Sequence, residues 1–256
     1  MMLSNREILQ TALRQSAVDL GCRPEDFLAA EPRVVVSREN KDARRYLELP
    51  FDCNLVSYGS NIVASVRPEL REAVHAYLAH RPAYRCFETP RLHALEEALK
   101  PYRLRICFMA EYFLPDAANL HAPPCDYEIR LLGPADFKTL YQPEWSNALC
   151  EKRKELDVLG AGAYDHGRLI GLAGCSADCA AMWQIGIDVL PAYRRQGIAA
   201  ALTGRLALEI LGRGKVPFYC AAWSNLPSVR CAIGCGFRPA WVELTAKSVD
   251  FTAQLE

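Results

Sequence analysis

The 256-residue sequence has no excess charge of either sign, because its 30 Lys and Arg residues balance its 30 Asp and Glu residues. Binding to a polyanion through counterion release needs a basic surface, so this balance argues against nucleic acid as the partner. The sequence also lacks low-complexity segments, and its 51% content of hydrophobic residues is too high for a disordered chain. We therefore expect a globular protein with one large domain or two small ones.

No uncharged apolar run is long enough to suggest a membrane span. The longest weakly charged stretch, residues 169–187, contains Asp178, Gln184 and several glycines, which favour two strands and a turn over a lipid-facing helix. The first residues also lack a basic region followed by an apolar core, which is the pattern of a secretory signal. We therefore expect a cytoplasmic protein that does not associate with membranes.

The eleven cysteines lack the spacing of a metal site. Cys175 and Cys179 are four residues apart, as are Cys231 and Cys235, but no CxxC pair or partner histidine accompanies them. The odd number argues against a complete set of disulfides, and a reducing cytosol keeps thiols free. We expect no metal, and we interpret most of the cysteines as small buried side chains.

The pattern of elements divides the chain into two halves. Residues 1–115 mix helix and strand patterns, beginning with a capping box, Ser4-x-x-Glu7, and including Gly59-Ser60 as a two-residue hairpin turn between apolar runs. Residues 116–125 contain prolines and no hydrophobic periodicity, which is typical of a linker. Residues 126–256 then alternate strands with a long helix. The sequence therefore predicts an N-terminal α+β domain (1–115), a linker (116–125) and a C-terminal α/β domain (126–256).

The most informative segment joins an apolar strand that ends at Pro191 to a long helix, and it reads Arg194-Arg195-Gln196-Gly197-Ile198-Ala199-Ala200. A helix start offers unpaired backbone N–H groups and a partial positive charge of about 0.5 e. Gly197 lets a ligand approach the backbone, and the two arginines add charge. These features predict a pyrophosphate site. The alternative is an ordinary strand–helix connection with two solvated arginines.

The patterns GxxxxGK[ST] and GxGxxG are both absent from this segment. It resembles motif A of the GCN5-related N-acetyltransferases, the GNAT superfamily, in which Arg/Gln-x-x-Gly-x-Gly/Ala follows a strand ending in Val-x-Pro. Here Val189-Leu190-Pro191 precedes Arg194-x-x-Gly197-x-Ala199. Downstream, Asn225, Ser228 and Gly236-Phe237 have the spacing of a second superfamily motif. The resemblance covers residues 126–250 and implies a GNAT-like mixed central sheet flanked by helices, with the N-terminal α+β domain in addition.

The resemblance implies that acetyl-CoA is the cosubstrate. The turn at 196–200 would bind the pyrophosphate, and the backbone of residues 187–189 would pair with the pantetheine arm. The strands ending at Leu190 and near Ala222 would splay apart around the thioester. The cofactor contacts implied in this way are Ile187, Asp188, Val189, Arg194, Arg195, Gln196, Gly197, Ile198, Ala199, Ala200, Asn225 and Ser228.

The implied reaction is direct attack of a primary amine on the thioester in a ternary complex, with a backbone amide stabilising the oxyanion. Many members of the superfamily carry a tyrosine as general acid at the position of Ala232, so the acid is unassigned here. Asp188 is a candidate base, and the alternative is a strand-end residue that bonds to a neighbouring loop. The expected partner is a small-molecule or peptide amine, and a homodimer stays open.

Two further alternatives stay open. One is a CoA- or acyl-CoA-binding sensor or regulatory module without turnover, which Ala232 in the tyrosine position favours. The other is that the first half is a degenerate second copy of the same fold. It has strands, a hairpin and helices in a partly similar order, but it lacks an Arg-x-x-Gly-x-Gly/Ala turn.

Overall fold

The computed structural model describes residues 3–255, which divide into two compact units. The first unit comprises residues 3–12 and Phe113–Pro239, and the second comprises Leu13–Tyr112 and residues 240–255. Each unit combines helices with strands of both orientations, which confirms the expected mixed α/β class. The division of the sequence into an N-terminal domain, a linker and a C-terminal domain stays a prediction.

The helices and strands follow one another as α1 (Asn5–Leu20), β1 (Arg33–Val36), β2 (Cys53–Ser57), β3 (Val63–Val66), α2 (Arg71–Leu78), α3 (Thr89–Leu99), β4 (Leu104–Pro115), β5 (Glu128–Leu132), β6 (Asp157–Asp165), β7 (Arg168–Ser176), β8 (Met182–Val189), α4 (Ile198–Gly212), β9 (Val216–Ala222), α5 (Leu226–Gly234), β10 (Phe237–Ser248) and α6 (Val249–Thr252). The predicted capping box is present at the start of α1. The Ser4 backbone N–H donates to the Glu7 carboxylate at 2.8 Å, and the Glu7 N–H donates back to Ser4 Oγ at 3.3 Å. No helix within residues 3–255 has the length and apolar character needed to cross a bilayer.

The first unit is built on antiparallel pairs from β5 to β8, with β9 added parallel to β8. α4 packs on this sheet through its predicted apolar stripe, which is buried. The members of the stripe are Ile198, Leu202, Leu206 and Ile210. The segment after β4 lies tightly against the other side of α4. A Cβ on Gly204 would be 2.1 Å from the carbonyl oxygen of His121, so only glycine fits there.

The second unit has a mixed sheet in the order β1, β3, β2, β10, β4. β1 runs parallel to β3, and β2 runs antiparallel to β3 and β10. The predicted hairpin exists, but the predicted two-residue turn is wrong, because residues 58–62 form a longer connection. Ser57 shapes it: its Oγ donates to the Asn61 carbonyl at 2.7 Å and accepts from the Gly59 N–H at 3.1 Å.

The cysteines are all in the described part of the chain, and none of the eleven forms a disulfide. Five of them are buried: Cys53, Cys86, Cys175, Cys179 and Cys235. Burial raises the pKa of several thiols, to about 12 for Cys53 and Cys175, so these side chains stay neutral at physiological pH. The other six are partly exposed, so the expectation that most of the cysteines are buried side chains holds only for these five.

Candidate cofactor site

A cleft opens where β8 and β9 part. The two strands pair from Met182 opposite Val216 as far as Ile185 opposite Tyr219. Beyond that point residues 186–189 pair with β7 on one side, and within the described chain no strand pairs with them on the side of β9. The predicted splay is therefore confirmed. It leaves backbone N–H and C=O groups of β8 open to an extended ligand.

The chain between β8 and α4 makes a compact turn with two residues in the left-handed region. Arg195 has φ +64° and Gly197 has φ +78°. Gly197 is the N-cap of α4, and no side chain caps the helix. A Cβ on Gly197 would meet no atom within 4 Å, so the space above the turn is open. The start of α4 is therefore accessible to a ligand.

The first turn of α4 has unpaired donors. The first backbone hydrogen bond of the helix runs from Ala201 N to the Gly197 carbonyl at 3.1 Å. Within residues 3–255, no acceptor is recorded for the preceding N–H groups of the turn, which belong to Gly197, Ile198, Ala199 and Ala200. Donors that converge at the positive end of a helix are suited to phosphate oxygens. These residues fit the diphosphate of acetyl-CoA.

Side chains from neighbouring elements hold this turn in place. Tyr127 Oη donates to Gln196 Oε1 at 2.8 Å, and Tyr193 Oη donates to Asp165 Oδ2 at 2.9 Å. Arg194 Nε donates to the Val189 carbonyl at 3.0 Å, which ties the turn to the end of β8. Among the described residues, no ion pair or hydrogen bond is recorded for the exposed side chain of Arg195. Its guanidinium is therefore available to an anion.

Asn225 and Ser228 lie together in the first turn of α5. Asn225 caps the helix, with Oδ1 accepting from the Ser228 N–H at 3.3 Å. Ser228 Oγ is 2.8 Å from Tyr219 Oη. Tyr219 is only 2% exposed, and burial raises its pKa well above the ordinary value of a tyrosine. The sequence singled out Asn225 and Ser228 but gave no reason to connect either of them with Tyr219.

Asp188 anchors a loop. Its carboxylate accepts hydrogen bonds from Asn147 N at 2.8 Å, Asn147 Nδ2 at 2.6 Å and Ala148 N at 3.0 Å. The loop lies so close to the sheet that a Cβ on Gly186 would be 1.8 Å from the Asn147 carbonyl oxygen. The loop-bonding interpretation of Asp188 is confirmed. Side chains alternate along a strand, so the carboxylate lies on the opposite face of β8 from Ile187, which packs against the core beneath α4.

Ala232 is fully buried in the core of the first unit, so its side chain does not reach the cleft. Within the described residues, no group of three or more His, Cys, Asp or Glu side chains is arranged to hold a metal ion.

A model of the GNAT acetyltransferase family matches residues 92–240. Similar solved structures include a GCN5-related N-acetyltransferase from Sphaerobacter thermophilus, at 14% identity over 94% of this chain and 92% of that chain, with a TM-score of 0.49. A GNAT-family protein from Novosphingobium aromaticivorans is 23% identical over 56% of this chain and 66% of that chain, with a TM-score of 0.41. A Salmonella typhimurium protein solved with its cofactor acetyl-CoA is 18% identical over 48% of this chain and 94% of that chain, with a TM-score of 0.35. No curated protein matches the sequence.

Proposed function

Because the chain belongs to the GNAT acetyltransferase family, we propose that it is an N-acetyltransferase that uses acetyl-CoA and acetylates a primary amine. The main support is the uncapped start of α4, where the N–H groups of residues 197–200 have no acceptor among residues 3–255. A diphosphate supplies the acceptor oxygens and the negative charge that such a helix start favours. The open space above Gly197 supports close approach of that group to the backbone.

The cleft supports binding of an extended arm next to this helix start. Within the described residues, the edge of β8 at 186–189 has no strand partner toward β9, so it offers hydrogen-bond partners to the amides of a pantetheine chain, apart from the Val189 carbonyl, which accepts from Arg194. Arg195 adds charge for the phosphates, while Arg194 is used in holding the turn to Val189. Holding the arm in one place aligns its reactive end, which lowers the entropic part of the barrier.

When bound, acetyl-CoA supplies an acetyl group activated as a thioester, which a neutral amine attacks directly. We propose that Asp188 is not the base for that amine, because both of its oxygens already accept hydrogen bonds from the loop. Its role in the proposal is to hold Asn147 and Ala148 over β8, where they form a wall beside the cleft. The acceptor would approach from this face of the sheet.

The proposal is tested by incubating the protein with acetyl-CoA and a panel of amines. The panel contains an amino acid, a polyamine, an aminoglycoside and a lysine peptide, and free CoA is quantified by chromatography. We expect CoA to form only when one class of amine is present. If acetyl-CoA does not bind at millimolar concentration, the proposal is wrong. Tight binding without CoA formation for any amine would favour the sensor or regulatory module instead.

A further inference from the structure

Two hydroxyl groups lie at the closed end of the cleft. Tyr219 is the last residue of β9 in register with β8, opposite Ile185, so it stands where the two strands begin to part. Its Oη is 2.8 Å from Ser228 Oγ in the first turn of α5. Tyr219 is buried, whereas Ser228 is half-buried and so in part accessible to solvent. The pair therefore links the interior of the unit to the end of the cleft.

The hydrogen bond between the two hydroxyls can run in either direction. Burial keeps Tyr219 protonated because it raises the pKa of the phenol well above its ordinary value. The titratable groups that act on the phenol are the thiols of Cys220, Cys231 and Cys235, and burial raises the pKa of the last two. In the arrangement in which Tyr219 donates to Ser228 Oγ, the single proton of Ser228 is free to point into the cleft.

A donor is needed at this place if a thioester reacts there. The sulfur becomes negatively charged as its bond to the acetyl carbon breaks, and a charge that is removed from water needs a hydrogen-bond partner. Ala232 has no polar side chain, so it cannot provide one. Ser228 is one helical turn earlier, at the i, i−4 position, and therefore lies on the same face of α5.

We propose that Ser228 donates a hydrogen bond to the sulfur of bound CoA, and that Tyr219 is a positioning residue that holds the Ser228 hydroxyl in the donating orientation. This assignment rests on the proposed function. It involves no oxidation or reduction, and no covalent bond of either residue changes. Its consequence is that the protein stabilises the thiolate form of bound CoA.

The test is the pKa of the CoA thiol in the complex with the whole protein. It is measured from the ultraviolet absorbance of the thiolate as pH is varied, with CoA lacking its sulfur as the blank for the protein's own tyrosines and cysteines. Ser228→Ala should raise this pKa by about one unit, the size expected for a hydrogen bond to a charged group. Tyr219→Phe should raise it by less, because the serine remains but loses its orientation.

Two variants serve as controls. Ser228→Thr keeps the hydroxyl and should restore the thiol pKa of the wild type. Ser224→Ala removes an exposed serine just before α5 whose side chain makes no hydrogen bond to any described residue, and it should leave the pKa unchanged. Ser228→Ala keeps the backbone N–H that Asn225 caps, so α5 should form normally.

An unchanged thiol pKa in Ser228→Ala, with CoA still bound, would overturn the assignment while leaving the proposed function intact. Failure of the wild-type protein to bind CoA would contradict the proposed function itself. A raised pKa in Ser228→Ala together with an unchanged one in Tyr219→Phe would overturn the role of Tyr219. The thiol pKa is measured in the complex of the protein with CoA alone, so the test does not depend on knowing the amine acceptor.

Discussion

Gly197 is required for two separate reasons at the scale of the single residue. Its φ of +78° is strained for any residue with a side chain, and its exposed backbone is where a phosphate would approach. Gly214, at the other end of α4, has nearly the same backbone angle, φ +72°, and an equally open surrounding. The two glycines therefore allow conformational strain to be separated from ligand access.

We predict that Gly197→Val weakens CoA binding at least tenfold, as measured by calorimetric titration. The side chain would stand above the N–H groups of the turn and would add about 1–2 kcal/mol of backbone strain. Gly214→Val carries the same strain away from the site, so it should lower stability without changing the affinity for CoA. Equal affinities in the two variants would contradict the assignment of the turn.

Asp157 is a buried carboxylate whose titration affects stability. Burial raises its pKa above the ordinary value, even though Ser176 Oγ and the Cys150 N–H both donate to it. The folded state therefore holds the proton more tightly than the unfolded state. The free energy of unfolding should fall as pH rises from the ordinary carboxyl pKa through the raised one.

We predict that Asp157→Asn removes this decline, because asparagine cannot ionise while its amide oxygen still accepts a hydrogen bond. Urea unfolding of the wild type and the variant, from acidic to neutral pH, measures the difference. The two curves should converge at low pH and separate above the raised pKa, with the variant less dependent on pH. Parallel curves would show that Asp157 does not titrate in this window.

At the scale of elements, the loop that contains Asn147 and Ala148 is fitted closely to β7 and β8. Glycines of the two strands face it, since a Cβ on Gly186 or Gly174 would be about 2 Å from a loop carbonyl oxygen. Asp188 completes the fit with its three accepted hydrogen bonds. The loop is therefore held in a fixed position against β7 and β8.

We predict that Gly186→Ala lowers the free energy of unfolding by about 1–3 kcal/mol, because the methyl group forces the loop away from the sheet. Gly212→Ala is the matched control, since a Cβ there would meet nothing within 4 Å and its backbone angle is ordinary. Urea unfolding midpoints measure both. A Gly186→Ala midpoint equal to that of Gly212→Ala would mean that the loop moves without cost.

The elements around the cleft could be predicted from the sequence because their signals are local. The apolar stripe of α4, the turn at Gly197 and the strand patterns of β5 to β9 all depend on residues that are close together in the chain. The contacts of Tyr127 with Gln196 and of Tyr219 with Ser228 join distant segments, so no local pattern indicates them. The hairpin turn was predicted too short because the side chain of Ser57 stabilises a longer loop.

At the scale of the whole molecule, a zero net charge hides strongly localised charges. In the first unit, Arg194 and Arg195 lie at the start of α4. In the second unit, the fully buried Arg44 forms ion pairs with Asp19 at 2.5 Å and with Glu243 at 3.1 Å. Burial works against the charge of Arg44, but the two carboxylates hold its pKa above the ordinary value. The overall balance therefore says little about where charge acts.

We predict that Arg44→Leu destabilises the second unit by about 3–5 kcal/mol, because two buried carboxylates lose their partner. Arg45→Leu is the matched control, since the neighbouring arginine is exposed. Thermal or urea unfolding of both variants gives the comparison. A loss in Arg44→Leu no larger than that in Arg45→Leu would show that the buried ion pairs contribute little.

The most direct test of acetyl-CoA binding at the start of α4 is amide hydrogen exchange with and without CoA. In the free protein the amides of residues 197–200 have no acceptor in the part of the chain that the structure describes, so they should exchange rapidly. Saturating CoA should slow exchange in the peptides that cover 195–200, with no comparable change in β1 to β3. Unchanged exchange at 195–200 with CoA bound would contradict the account.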